Sequence, residues 1–232
     1  FFLEVAFNSV HSPMQAKNED LAGLSGIEDI QRKIFAGMLI NMDRGIGRII
    51  QKLRDSGLED NTIIIFISDN GGPTRELTSS NLPLRGEKGN LYEGGIRIPF
   101  MIQWKGHIPS GKIYENPVIS LDILPTVAVA AGVEFPQDID GVNLLPYIKG
   151  EKTGQPHQSL YWRQNGLTAF REGNWKIFSN KFNGQQSEWE LYNLSEDLGE
   201  KNNLIKKNPD KFNELFPKWK ELNGKMMEPL FK

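Results

Sequence analysis

The chain has 232 residues, enough for one large domain or for a domain with a smaller module attached. A hydrophobic fraction of 38%, a charged fraction of 24% and a formal net charge of -2 describe ordinary globular composition, and they exclude a polyanion-binding field and an acidic tail. There is no cysteine, so disulfides, cysteine–zinc sites and a cysteine nucleophile are excluded within these residues, and no apolar run approaches the length of a bilayer span.

Phe1-Phe2-Leu3-Glu4-Val5-Ala6-Phe7 is an apolar run rich in aromatics and predicts a buried strand. No signal peptide is visible in these residues, and a chain that opens in mid-sheet without methionine reads as the C-terminal part of a longer polypeptide. A loop with Asn8, His11, Ser12 and Pro13 follows. Ser25-Gly26-Ile27-Glu28 has the spacing of a capping box. After it Ile30, Ile34, Met38, Met42, Ile46, Ile49 and Leu53 recur every three or four residues, which predicts one long amphipathic helix ending near Gly57. On it, Asp43-Arg44 suggests an ion pair within the helix or to another element.

Five large apolar residues, Ile63 to Ile67, predict a strand covered on both faces, as in a parallel sheet. Residues 71–97 are rich in glycine and polar side chains, and a loop of that length in a compact domain usually carries function. Residues 99–104 predict the next strand. Residues 120–131 predict a helix that admits Pro125 near its first turn and stops at Gly132. The alternation argues for an α/β sheet over residues 1–150. Composition shifts at the connector Thr153-Gly154-Gln155-Pro156. Beyond it, strand-like pieces at 159–163, 167–171, 175–178 and 189–192, punctuated by Gly166, Gly173 and Gly184, precede a helix over about 209–222. Residues 151–232 are thus predicted as a small α+β module with an antiparallel sheet.

Asp69 and Asn70 stand where the apolar strand ends, the place where open α/β sheets bind ligands. A carboxylate beside an amide oxygen makes a pair of hard donors, suited to Ca2+ or Mg2+ rather than zinc. Gly71 and Gly72 remove bulk next to them. On the tetrapeptide alone, a simple turn after a strand is the commoner reading. Lys88, in Leu84-Arg85-Gly86-Glu87-Lys88-Gly89-Asn90-Leu91-Tyr92-Glu93-Gly94-Gly95, offers an ammonium in a glycine-rich loop that can hold a tetrahedral anion, and equally reads as a solvated lysine. His11 offers a general acid or an anion-binding donor, or a structural loop histidine. His107 and His157 lack any partner pattern and read as surface residues. No nucleophile elbow, phosphate-binding loop or zinc-protease helix is legible, and no basic–aromatic interleaving suggests nucleic acid.

Taken jointly, these segments resemble the type I, formylglycine-dependent sulfatase family, arylsulfatases among them. Ala6 through Pro13 resembles its histidine loop and Asn41-Met42-Asp43-Arg44-Gly45-Ile46-Gly47 its long helix. Asp60 through Gly72 resembles its metal strand, Pro83 through Pro99 its lysine loop, Ser120 through Thr126 the following helix, and Trp189 through Leu204 its C-terminal signature. The resemblance implies an alkaline-phosphatase-like α/β fold, with a mixed or parallel sheet and flanking helices, incomplete at its N-terminus. It implies hydrolysis of aryl or carbohydrate sulfate esters by an upstream formylglycine. Asp69 and Asn70 would be calcium ligands, Asp69 lying near the nucleophile. Lys88 would neutralise sulfate charge, and His11 would hold the ester oxygen and help the alcohol leave. It implies a periplasmic or secreted location and a sulfated small molecule or glycan as partner. The nucleophile motif Cys/Ser-x-Pro-x-Arg and further metal ligands do not occur here. The chain by itself is therefore expected neither to turn over sulfate esters nor to bind calcium tightly, and an exposed sheet edge is expected to favour self-association or pairing with the missing N-terminal part. The competing readings are a phosphonate or phosphodiester hydrolase of the same superfamily and a non-catalytic, truncated module.

Overall fold

The computed structural model describes residues 1–164, 166–180 and 188–227, so the turn expected at Gly184 lies outside the described residues. Residues 1–7 form no strand, contrary to the pattern of their side chains. A strand needs a neighbour to satisfy its backbone, and among the described residues none pairs with this segment. Phe1 and Phe2 are 84% and 82% exposed.

Helix α1 (Asn18–Ala22) packs on the long helix α2 (Ile30–Asp55). Gly37 permits the approach, since a Cβ there would lie 2.9 Å from the Ala16 Cβ. Arg44 reaches the buried Asp20 at 2.8 Å, and Asn41 donates to the same carboxylate at 3.0 Å. The ion pair expected around Asp43-Arg44 is thus made between elements, by Arg44. Helix α2 begins later than the Ser25–Glu28 box predicts. Its cap is Asp29, whose carboxylate accepts from the Arg32 amide at 2.6 Å. The helix ends as expected, with Gly57 at φ 67° just beyond it.

Strand β1 (Ile64–Ile67) follows a 3-10 turn over Glu59–Asn61. After the glycine-rich loop and the single-turn helix α3 (Glu93–Ile96) comes β2 (Phe100–Gln103). It pairs antiparallel with β1, Ile64 opposite Gln103 and Ile67 opposite Phe100. The parallel neighbour expected for β1 is not found among the described residues, and all four of its residues are half-buried rather than covered on both faces. A 3-10 turn (Ser120–Asp122) leads into α4 (Ile123–Ala131), stopped at Gly132 with φ 65°, and α5 (Leu145–Ile148) follows.

The C-terminal part is a four-stranded antiparallel meander of β3 (Ser159–Gln164), β4 (Leu167–Glu172), β5 (Trp175–Ser179) and β6 (Trp189–Asn193), close to the predicted pieces. Its side chains alternate with the period of two that a pleated strand imposes. Phe170, Ile177 and Leu191 pack against Leu215 and Trp219 of α6 (Pro209–Lys225). Ala169, Phe178 and Tyr192 point to the other face and pack against Leu91 and Tyr92. The second face of this sheet is therefore covered by the lysine-containing loop. Among the described residues no helix is long and apolar enough to cross a membrane.

Candidate active site

The end of β1 is shaped by short local bonds. Ser68 N continues the ladder to Pro99 O at 3.3 Å, and Ser68 Oγ donates to Asn70 O at 2.9 Å. Asn70 Nδ2 donates to Asp69 Oδ2 at 2.5 Å. That bond uses the amide nitrogen, so the amide oxygen stays available to a cation beside the exposed Asp69 carboxylate. As a donor set the pair fits a hard cation. It is only part of a shell, two donors against the six or more oxygens calcium takes, and among the described residues no group of three or more His, Asp or Glu is placed to hold a metal ion.

Gly71 and Gly72 tie this turn to the loop that carries Lys88. Gly71 N donates to Gly95 O at 3.0 Å. The two backbones touch: a Cβ on Gly71 would fall 1.7 Å from Gly94 O. Asn81 spans the gap, accepting from Gly72 N at 3.0 Å and donating to Gly72 O at 2.8 Å and Gly86 O at 3.1 Å. The glycines expected to remove bulk for a ligand thus also let one backbone lie against another.

His11 and Lys88 come together. Lys88 Nζ lies 3.2 Å from His11 Nε2. His11 Nδ1 lies 2.7 Å from Ser12 O, and a carbonyl only accepts, so Nδ1 carries the hydrogen. In the neutral ring Nε2 is then the acceptor for the Lys88 ammonium. Both residues are exposed, so the pair faces open solvent.

The loop between Arg85 and Glu93 is held by groups that no local signal announces. Arg85 Nη1 donates to Tyr192 Oη at 2.9 Å and to Glu200 O at 2.8 Å, and its guanidinium lies 3.9 Å from the centre of the Tyr92 ring. Tyr92 and Tyr192 both donate to Glu190 Oε2, at 2.7 and 2.6 Å. Burial pushes both phenols up, and the Glu190 carboxylate pushes them further, so they stay protonated donors. Glu93, almost fully buried, meets Lys176 Nζ at 2.9 Å and Arg171 at 3.5 Å. Lys176 Nζ also meets Glu200 Oε1 at 2.9 Å, and Glu200 Oε2 accepts from Glu93 N at 2.6 Å. Burial raises the Glu200 carboxyl against the pull of Lys176.

His157 is not a surface residue. Its Nε2 lies 2.8 and 3.0 Å from the two oxygens of the fully buried Asp122. That carboxylate also accepts from Ile119 N at 2.9 Å and Val142 N at 2.8 Å, so the pair ties the connector to the start of α4. His107 stacks on Trp104, ring centres 4.0 Å apart.

Two family descriptions match the chain: sulfatase over residues 1–133 and N-sulphoglucosamine sulphohydrolase, C-terminal, over residues 86–228. An uncharacterized sulfatase, YdeN of Escherichia coli (strain K12), is 31% identical over 90% of this chain and 38% of its own length. Human arylsulfatase A is 33% identical over 88% of this chain and 44% of its own length. The crystal structure of Ps i-CgsB superposes with a TM-score of 0.83 at 34% identity, covering 93% of this chain and 48% of that one. The same protein has been solved in complex with k-i-k-neocarrahexaose, TM-score 0.82. The chain thus spans less than half the length of each of these relatives.

Proposed function

Because the chain belongs to the sulfatase family, we propose that it is the C-terminal part of a sulfuric ester hydrolase, residues 1–150 completing the catalytic α/β domain and 151–232 forming its smaller subdomain. The separate antiparallel sheet built from residues 159–193 supports that division. The single observation that carries the reading is the 3.2 Å approach of Lys88 Nζ to His11 Nε2. A cation and a proton carrier side by side are what the cleavage of a sulfate ester needs from the protein.

Lys88 would hold a sulfate oxygen as a point charge and offset negative charge that grows as the S–O bond breaks. His11, its ring fixed through Nδ1–H to Ser12 O, would present Nε2 to the ester oxygen and, with both ring nitrogens carrying hydrogen, protonate the departing alcohol from Nε2. Asp69 and Asn70 would hold calcium, with magnesium as the alternative, and Asp69 would lie beside the nucleophile. When bound, calcium would polarise sulfate oxygens, and a formylglycine upstream of these residues would supply the attacking hydroxyl.

The complex of Ps i-CgsB with k-i-k-neocarrahexaose, at 34% identity, favours a sulfated carbohydrate as substrate over a simple aryl sulfate. Such a substrate fits a periplasmic or secreted enzyme. The test is a comparison, in the full-length polypeptide, of sulfate release from carrageenan oligosaccharides, hydrolysis of 4-nitrophenyl sulfate and hydrolysis of bis(4-nitrophenyl) phosphate. Preferential release of sulfate is expected. A preference for the phosphodiester would instead support the phosphonate or phosphodiester hydrolase reading. An upstream frame lacking Cys/Ser-x-Pro-x-Arg would support a non-catalytic module.

A further inference from the structure

We infer that the C-terminal sheet sets the position of Lys88, with Lys176, Glu200 and Tyr192 as positioning residues that act on it through the two limbs of its loop. The inference rests on the role proposed above for Lys88.

The loop is a closed ring. Gly94 N donates to Arg85 O at 2.6 Å, so residues 85–94 return on themselves with Lys88 between the two limbs. The outgoing limb is fixed by Arg85 to Tyr192 Oη and Glu200 O. The returning limb is fixed by Tyr92 to Glu190 and by Glu93 to Lys176 and Glu200. Every one of these partners lies in β5, in β6 or in the turn just after β6. Leu91 and Tyr92 fill the sheet face between them.

Two features set this arrangement apart from ordinary packing. Lysine is rarely buried, yet the Lys176 side chain is 0% exposed and its ammonium is shared between Glu93 and Glu200. An apolar contact would hold the loop as firmly, but a shared charge fixes one direction and one register. Glu200 is also the one non-glycine residue with positive φ among the described residues, at 50°. A backbone held in that region is tolerated where the surroundings over-determine it. Here Asp197 Oδ2 does so, accepting from Lys201 N at 2.8 Å and Asn202 N at 2.7 Å. The strained residue is a glutamate whose carboxylate and carbonyl both serve the lysine loop. The hydrogen bonds and ion pairs of Tyr192, Lys176 and Glu200 go to Arg85, Glu93, Glu190 and one another, so their influence on Lys88 passes through the loop.

The experiment is a set of three double-mutant cycles in the full-length enzyme. Tyr192→Phe and Glu200→Gln keep the shape of the side chain, and Lys176→Met removes the charge. Each is measured alone and combined with Lys88→Ala, with circular dichroism confirming that the variants fold. Each single variant is expected to lower kcat about 10- to 100-fold, as for a catalytic group displaced by a fraction of an ångström to one ångström. In the Lys88→Ala background the same substitutions should change kcat less than about twofold, because the group they position is gone. Full additivity would show that the network supports the fold without placing Lys88, and would overturn the inference. If Lys88→Ala alone left activity unchanged, the role given to Lys88 would fail instead, and the two failures are distinguishable. Should Lys176→Met not fold, the two isosteric variants decide the matter.

Discussion

His11 Nε2 and Lys88 Nζ lie 3.2 Å apart although 77 positions separate them in the chain. On the roles proposed for them the two residues serve one site, and substituting either should harm the same step in different ways. Lys88→Ala removes charge stabilisation and is expected to lower kcat by about 100- to 1,000-fold on all sulfate esters. His11→Ala would remove the proposed proton donor. Its loss should be large on carbohydrate sulfates, whose alkoxide leaves poorly, and small on 4-nitrophenyl sulfate, whose phenolate needs no proton. Steady-state kinetics on both substrates with the full-length enzyme checks this, and equal losses on the two would remove His11 from the role of acid.

Asp69 and Asn70 form a contiguous pair of oxygen donors, too few for calcium, which takes six to eight. Calorimetric titration of the 232-residue chain with calcium is expected to show no binding in the micromolar range. In the full-length protein, Asp69→Ala should weaken calcium at least about tenfold and shrink the rise in melting temperature that calcium brings. Tight binding by the isolated chain would mean that other oxygens of this chain complete the shell.

The glycines divide sharply by what surrounds them. Gly71→Ala would place a methyl 1.7 Å from the Gly94 carbonyl oxygen, which is backbone and has no rotamer to change. Separating the β1 turn from the lysine loop is expected to cost about 1–3 kcal/mol or more, and to cost activity with it. Gly47 sits exposed on α2 with nothing within 4 Å. Gly47→Ala should stabilise by about 0.5–1 kcal/mol through helix propensity. Chemical denaturation of the two variants checks both signs.

Local pattern made some of this legible and contact at long range hid the rest. The five-residue apolar run reveals β1 and the alternation beyond residue 155 reveals the meander, because strand formation there follows side-chain period. Residues 1–7 carry the same signal without forming a strand, since period says nothing of a pairing partner. Asp29, directly before the first periodic residue Ile30, was the better cap signal than the Ser25–Glu28 box. The pairing of His11 with Lys88 comes only from resemblance to a family. The burial of His157 is not legible because Asp122 lies 35 positions away, and neither is the clamp on the lysine loop, whose partners lie 83 to 115 positions away. No local rule reports a buried lysine whose carboxylates arrive from two other segments.

That buried lysine carries its own pH signature. Lys176→Met would leave Glu93 and Glu200 without the ammonium they share, Arg171 lying 3.5 Å from Glu93 and Arg85 bonded to the Glu200 carbonyl, and breaking such a buried pair typically costs about 3–5 kcal/mol near neutral pH. Glu200 already has its carboxyl raised above the ordinary value of 4.5 by burial, against the opposing pull of Lys176. Losing the ammonium must raise it further. A carboxyl whose folded value lies above its unfolded one favours the folded state below the unfolded value, and that advantage disappears as pH rises through the folded one. The destabilisation by Lys176→Met should therefore be least near pH 4.5 and grow toward neutrality. Adding Glu200→Gln, which removes the charge and keeps an acceptor for the Glu93 amide, should flatten the pH dependence and recover part of the loss. Urea denaturation of both variants between about pH 4 and pH 8 tests it; a penalty for Lys176→Met that does not vary over that range would mean water already reaches Glu200 and screens it.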